Sequence, residues 1–136
     1  MNLAAQIQER LKGILPELLG ITLVEVTPDK VIAQLRVRPD LCTLGDNLHG
    51  GAIMAFADTL GAVAAILNMP EGARTTTIES KTNFIGGAAE GSVVTGECTP
   101  VHKGRTTQVW QTRVTNAEGK LVALVTQTQI VMPPRG

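Results

Sequence analysis

The chain has 136 residues, with twelve basic and twelve acidic side chains, 43% hydrophobic residues and 2% aromatic. That length suits one domain, residues 1–136, with a modest core. Zero formal charge without a charge run, and an aromatic set of only Phe56, Phe84 and Trp110, argue against nucleic acid or an anionic membrane as partner.

Apolar positions Leu3, Ile7, Leu11 and Ile14 recur at three and four residues, which predicts a short helix over 2–13 within a helical segment 1–16, closed by Gly13 before Pro16. This stretch carries charge where an export signal is apolar, so a cytoplasmic setting is expected. Two isolated cysteines, Cys42 and Cys98, lack metal-ligand spacing and fit a reducing compartment, and no metal is expected. Ile21–Val26 and Val31–Val37, joined by Thr27-Pro28-Asp29-Lys30, read as a hairpin.

After a loop over 39–48, a helix is predicted from His49 to about Asn68. From Gly51 to Leu67 its only charged side chain is Asp58, too short and too interrupted for a membrane span. The period then changes to two. Arg74–Phe84, Ser92–Val101, Arg105–Thr115 and Lys120–Val131 read as strands, and their short glycine-containing connections favour antiparallel neighbours. Pro100 predicts an edge or a bulge near the end of its strand. The order predicts an α+β fold, an antiparallel sheet curling around one long buried helix, with a short tail over 133–136.

Asp58 is the informative residue. An ionised carboxylate inside an apolar helix is costly unless it is paired, so it is either a structural aspartate bonded to backbone or to Thr59, or a working acid. The helix opens on His49-Gly50-Gly51, where first-turn N–H groups have no intrahelical acceptor and glycine lets a ligand come close. Such a turn also serves simply to start a helix, but it suits an oxyanion. His49 and Asp58 are separated by roughly 180° of helix and about 13 Å of rise, so they cannot meet at one reacting atom within one straight helix. A two-fold dimer with antiparallel helices brings Gly50 of one copy opposite Asp58 of the other.

Leu48-His49-Gly50-Gly51 with Asp58 nine positions after the histidine, the strand Thr75–Phe84 followed by Ile85-Gly86-Gly87-Ala88, and His102-Lys103-Gly104-Arg105-Thr106 between two late strands together carry a family likeness. From about Leu18 onward the chain resembles hotdog-fold acyl-CoA thioesterases of the phenylacetate-pathway PaaI-like group. The resemblance implies a sheet of five to six strands around the central helix, and hydrolysis of an aryl- or medium-chain acyl-CoA with no cofactor, CoA being part of the substrate. It implies that the Gly50 N–H binds the thioester carbonyl and that Asp58 of the partner subunit is general base or nucleophile. By the same resemblance, His49 is expected to hold the thioester end and Thr77 to position water.

Many relatives carry an amide side chain six residues before the histidine. Here that position is Thr43, so either its hydroxyl or Asn47 in the same loop takes the role. By resemblance, CoA contacts fall on Phe84, Ile85, Gly86, Gly87 and Ala88 and on His102, Lys103, Gly104, Arg105 and Thr106. Self-association as a dimer, and as a tetramer of two dimers, is expected. Phe56, Met54 and Leu60 are candidates for an acyl channel; Trp110 reads as core or interface, and Lys81 as an exposed lysine. The alternatives are a hotdog hydratase or dehydratase acting on acyl thioesters, and a non-catalytic acyl-CoA-binding module.

Overall fold

A computed structural model describes residues 1–135. Its elements in chain order are α1 (Leu3–Arg10), α2 (Leu15–Leu19), β1 (Thr22–Thr27), β2 (Lys30–Arg36), a 3-10 turn at Pro39–Leu41, α3 (Gly50–Ile66), β3 (Arg74–Phe84), β4 (Val93–Lys103), β5 (Thr107–Thr115) and β6 (Leu121–Met132). Pro133 to Arg135 continue without regular structure, and Gly136, the end of the expected tail, lies outside the described residues.

The predicted N-terminal helix ends early, at Arg10, and a second helix, α2, follows. Pro16 sits in the first turn of α2, where its missing N–H has no acceptor to lose, so it starts a helix there. Gly20 closes α2 in the left-handed conformation (φ 83°), passing its N–H to Glu17 and Pro16 carbonyls.

All six strands join one antiparallel sheet in the order β1-β2-β4-β5-β6-β3. β3 and β4 are not neighbours, contrary to the expectation from their short connection: β3 pairs with β6 at one edge, and residues 85–92 carry the chain across to place β4 beside β2. The register shift between Pro100 and His102 is the bulge that Pro100 predicts.

α3 packs against β2, β3, β4, β5 and β6. Its core face, Ile53, Phe56, Ala57, Leu60 and Ala64, meets Val31, Ala33, Leu35, Val94 and Trp110. At the crossing with β4 a side chain on Gly96 would lie 2.8 Å from Phe56 and 2.9 Å from Leu60, so only glycine lets the helix settle this close. Phe56 and Leu60 are therefore core residues with no exposed surface, which corrects their candidacy for an acyl channel; Met54 stays half-exposed. The opposite stripe of α3, including Ala55, Asp58, Ala62 and Ile66, keeps accessible surface.

Candidate active site

His49 is the N-cap of α3, and its Nδ1 accepts the Gly51 N–H at 2.8 Å. That bond fixes the ring as the tautomer with its proton on Nε2 and uses one of the open first-turn donors. Among the described residues nothing accepts from the Gly50 N–H, which remains free at the positive end of the helix. The Phe84 ring lies over this point: a Cβ on Gly50 would be 3.0 Å from it.

The loop before the helix is built around Asn47. Its Nδ2 donates to the Gly45 carbonyl at 3.1 Å, and its Oδ1 lies 2.7 Å from where a Cβ on Gly87 would be. A bridge pairs Asn47 with Ala89, and the Leu48 N–H donates to Ala88 O, so the segment after β3 rests on the loop before α3. Thr43 is exposed at the loop's rim, its N–H held by Asn47 O. The structure thus gathers Asn47, His49, Gly50, Phe84, Gly87 and Ala88 at one place, with Ile85 and Gly86 held by the Val122 carbonyl.

Asp58 lies elsewhere. Eight residues along α3, it is about 12 Å from Gly50 by helical rise. It is half-buried, and its Oδ1 accepts from Gln127 Nε2 at 3.2 Å and lies 2.6 Å from Thr77 Oγ1, whose single proton also faces Gln129 Oε1 at 2.5 Å and goes to the charged carboxylate as the stronger acceptor. Thr59 takes no part, since its hydroxyl donates to Ala55 O. A bulge around Ile78 in β3 turns Thr75, Thr77, Ser80 and Thr82 toward the helix, opposite Val131, Gln129, Gln127 and Val125 of β6. The carboxylate therefore meets a hydroxyl and amide lining where the rest of the sheet presents valine and alanine.

The third group sits at the β4–β5 turn. His102, Arg105 and Thr106 are exposed, and Arg105 and Thr106 border a cleft of about 280 Å³ with Ala73, Val131 and Pro133 beside the start of β3. The Gly104 N–H is held by the Thr107 carbonyl. Lys103 is already engaged: its ammonium pairs with Asp29 and lies 5.8 Å above the Trp110 ring, and Trp110 is buried core. Among the described residues no salt bridge or side-chain hydrogen bond engages Arg105 of the same turn. Among the described residues no group of three or more His, Cys, Asp or Glu side chains is placed to hold a metal.

Residues 45–123 match the model of the family described as the thioesterase superfamily. The chain belongs to that superfamily. A Vibrio cholerae protein bearing an esterase name is 36% identical over 124 residues, 91% of this chain and 82% of its own. The 1,4-dihydroxy-2-naphthoyl-CoA hydrolase of Escherichia coli is 36% identical over 74 residues, 54% of each chain. Among solved structures, a Haemophilus influenzae thioesterase superposes with a TM-score of 0.90 at 26% identity, over 97% of this chain and 92% of its own. The Escherichia coli PaaI protein shares the fold, with a TM-score of 0.86 at 20% identity over 96% and 92%. The six-stranded sheet around a central helix is the hotdog fold, and this thioesterase is a thioester hydrolase.

Proposed function

We propose that this thioesterase hydrolyses acyl-CoA thioesters, aryl-CoA first among them, at two equivalent sites shared across a two-fold dimer. The observation that carries the reading is the separation of its parts: a free N–H at Gly50 and a hydrogen-bonded carboxylate at Asp58, too far apart on one helix to serve one carbonyl. The E. coli relative named for an aryl-CoA substrate supports the acyl class.

The outer edge of β3 supports the pairing. Its eleven residues bond to β6 on one side only, and Ile78, Phe84 and Ile85 are exposed along and just beyond it. An unprotected edge of that length is a template for another strand. Antiparallel pairing with β3 of a second copy, centred near Ser80 and Lys81, sets Thr77 opposite Phe84 of that copy. Because Thr77 binds Asp58 and Phe84 covers Gly50, the same register completes two sites. It also brings the β4–β5 turn of one copy toward the 84–88 segment of the other, giving CoA glycine backbone for pantetheine and Arg105 for phosphate.

In that site Gly50 donates its N–H to the thioester oxygen while Asp58 takes a proton from water as the water attacks the carbonyl carbon. The tetrahedral adduct collapses with cleavage of C–S, and the proton returns from Asp58 to the departing thiolate, leaving free acid and CoA. Direct attack by Asp58 gives a mixed anhydride and the same products after water opens it. Thr77, bonded to Asp58, is placed to order the water. A lyase would pair the acid with a second histidine, but His102 stands three strands from Thr77, about 14 Å across the sheet.

The test is thiol release from benzoyl- and fatty-acyl-CoA esters by the wild-type protein and Asp58→Ala. Turnover should fall by a factor of at least 10³ in a variant that still folds and associates, whereas thiol release near the wild-type rate removes Asp58 from the chemistry.

A further inference from the structure

We infer that Gln127, seated against Gly61, is a positioning residue that fixes Asp58 by its Oδ1 and presents Oδ2 as the reacting oxygen. The inference rests on the role proposed for Asp58 and adds which oxygen reacts and what aims it. Gln127 is buried on the helix-facing side of β6, an unusual place for an amide. Its Nε2 reaches Asp58 Oδ1 at 3.2 Å and Gln129 Oε1 at 3.1 Å, and Gln129 Nε2 in turn reaches Thr75 Oγ1 at 3.2 Å. This chain fixes which end of the Gln127 amide faces the acid, since a reversed amide would set its oxygen against a carboxylate oxygen.

Two costs are borne for the arrangement. Gln127 Oε1 is buried with no donor, which folded proteins seldom tolerate. Gly61 sits in the interior of α3, three residues after Asp58, where alanine would favour the helix. A Cβ there would fall 2.2 Å from Gln127 Cδ and 2.3 Å from its Nε2, so glycine is what allows the amide to lie flat on the helix and reach the acid. Thr77 and Gln127 both converge on Oδ1. Among the described residues no donor meets Oδ2, whose lone pairs stay available to water or to a carbonyl carbon.

The experiment compares kcat and KM for benzoyl-CoA in Gln127→Met, Gln127→Ala, Gly61→Ala and the Gln127→Ala/Gly61→Ala double variant, with Asp58→Ala as baseline. Loss of a hydrogen bond to a charged group should lower kcat about tenfold or more in Gln127→Met, with KM within about twofold. Methionine fills similar space and removes the orphaned carbonyl, so the melting temperature should not fall with kcat. Gly61→Ala should lower kcat by displacing the amide, yet add no further loss once Gln127 is alanine. Wild-type kcat in Gln127→Met, or a loss confined to KM, overturns the inference while an inactive Asp58→Ala leaves the acid in place. An active Asp58→Ala overturns the underlying reading as well.

Discussion

Replacing Gly50 by proline separates the donor from the fold. Gly50 is the first residue of α3, a position where proline is favoured because its N–H has no intrahelical partner and its φ already suits a helix. The residue before a proline must be extended, and His49 is (φ −64°, ψ 138°). The new ring meets the far end of the Phe84 side chain, since a Cβ at position 50 lies 3.0 Å from Cε1, and a shift of a few tenths of an ångström relieves the contact. Proline therefore removes one N–H with little strain, and the Gly50→Ala variant reproduces the contact with Phe84 while keeping the donor. Removal of one oxyanion donor costs about 10²–10³ in kcat. The assay is thiol release under saturating benzoyl-CoA for both variants, beside melting curves. Gly50→Pro should fall by that factor below Gly50→Ala with both proteins folded; equal kcat in the two refutes a role for the Gly50 N–H.

Other consequences follow from the same geometry. Thr77→Val keeps the shape of the side chain and removes the hydroxyl 2.6 Å from Asp58, so kcat should fall about tenfold, whereas Thr77→Ser should retain most of it; equal activity in the two would deny the hydroxyl a part. Burial pushes the Cys98 thiol up to about 11, and burial also raises Cys42. Native protein at pH 8 should thus react slowly with a thiol reagent, and Cys98 only after unfolding, as timed labelling with mass spectrometry will show. Below pH about 9 both folded and unfolded chains keep the Cys98 proton; between 9 and 11 only the unfolded chain loses it. Stability should fall across that window in wild type, and less in Cys98→Ser, by denaturant titration.

How far the sequence carried this picture depended on the kind of signal. β3 was legible at both ends, because a threonine-rich run ending in Phe84 lies between Pro70-Glu71-Gly72 and Gly86-Gly87. α3 was legible because, Asp58 and Thr59 apart, small and apolar residues follow a histidine and two glycines without interruption. α2 is not legible because a proline after Gly13 signals a stop in sequence, whereas in the first turn of a helix it is a start. The place of β3 is not legible either: connection length favours a neighbour, but β3 pairs with β6 at the sheet edge. The pairing of Lys103 with Asp29, far away in sequence, has no local signal and comes only from the fold.

The inward placement of Gln127 and Gln129 does not follow from alternation alone, which does not say which face is inward. The signal was nonetheless present: both share parity with Val125 and Val131, the apolar set of that strand, so two amides stood at core positions. An acid in an apolar helix calls for such a counterpart in the sheet that covers it.

The central claim is that each site draws Gly50 from one chain and Asp58 from the other. Gly50→Pro and Asp58→Ala subunits carrying different tags can be co-expressed, and the mixed dimers isolated through both tags. One of the two sites in a mixed dimer then contains both defects and the other neither, so thiol release should return to about half the wild-type rate although each parent is inactive. A mixed dimer as inactive as its parents would show that Gly50 and Asp58 of the same chain work together, and would contradict the shared site.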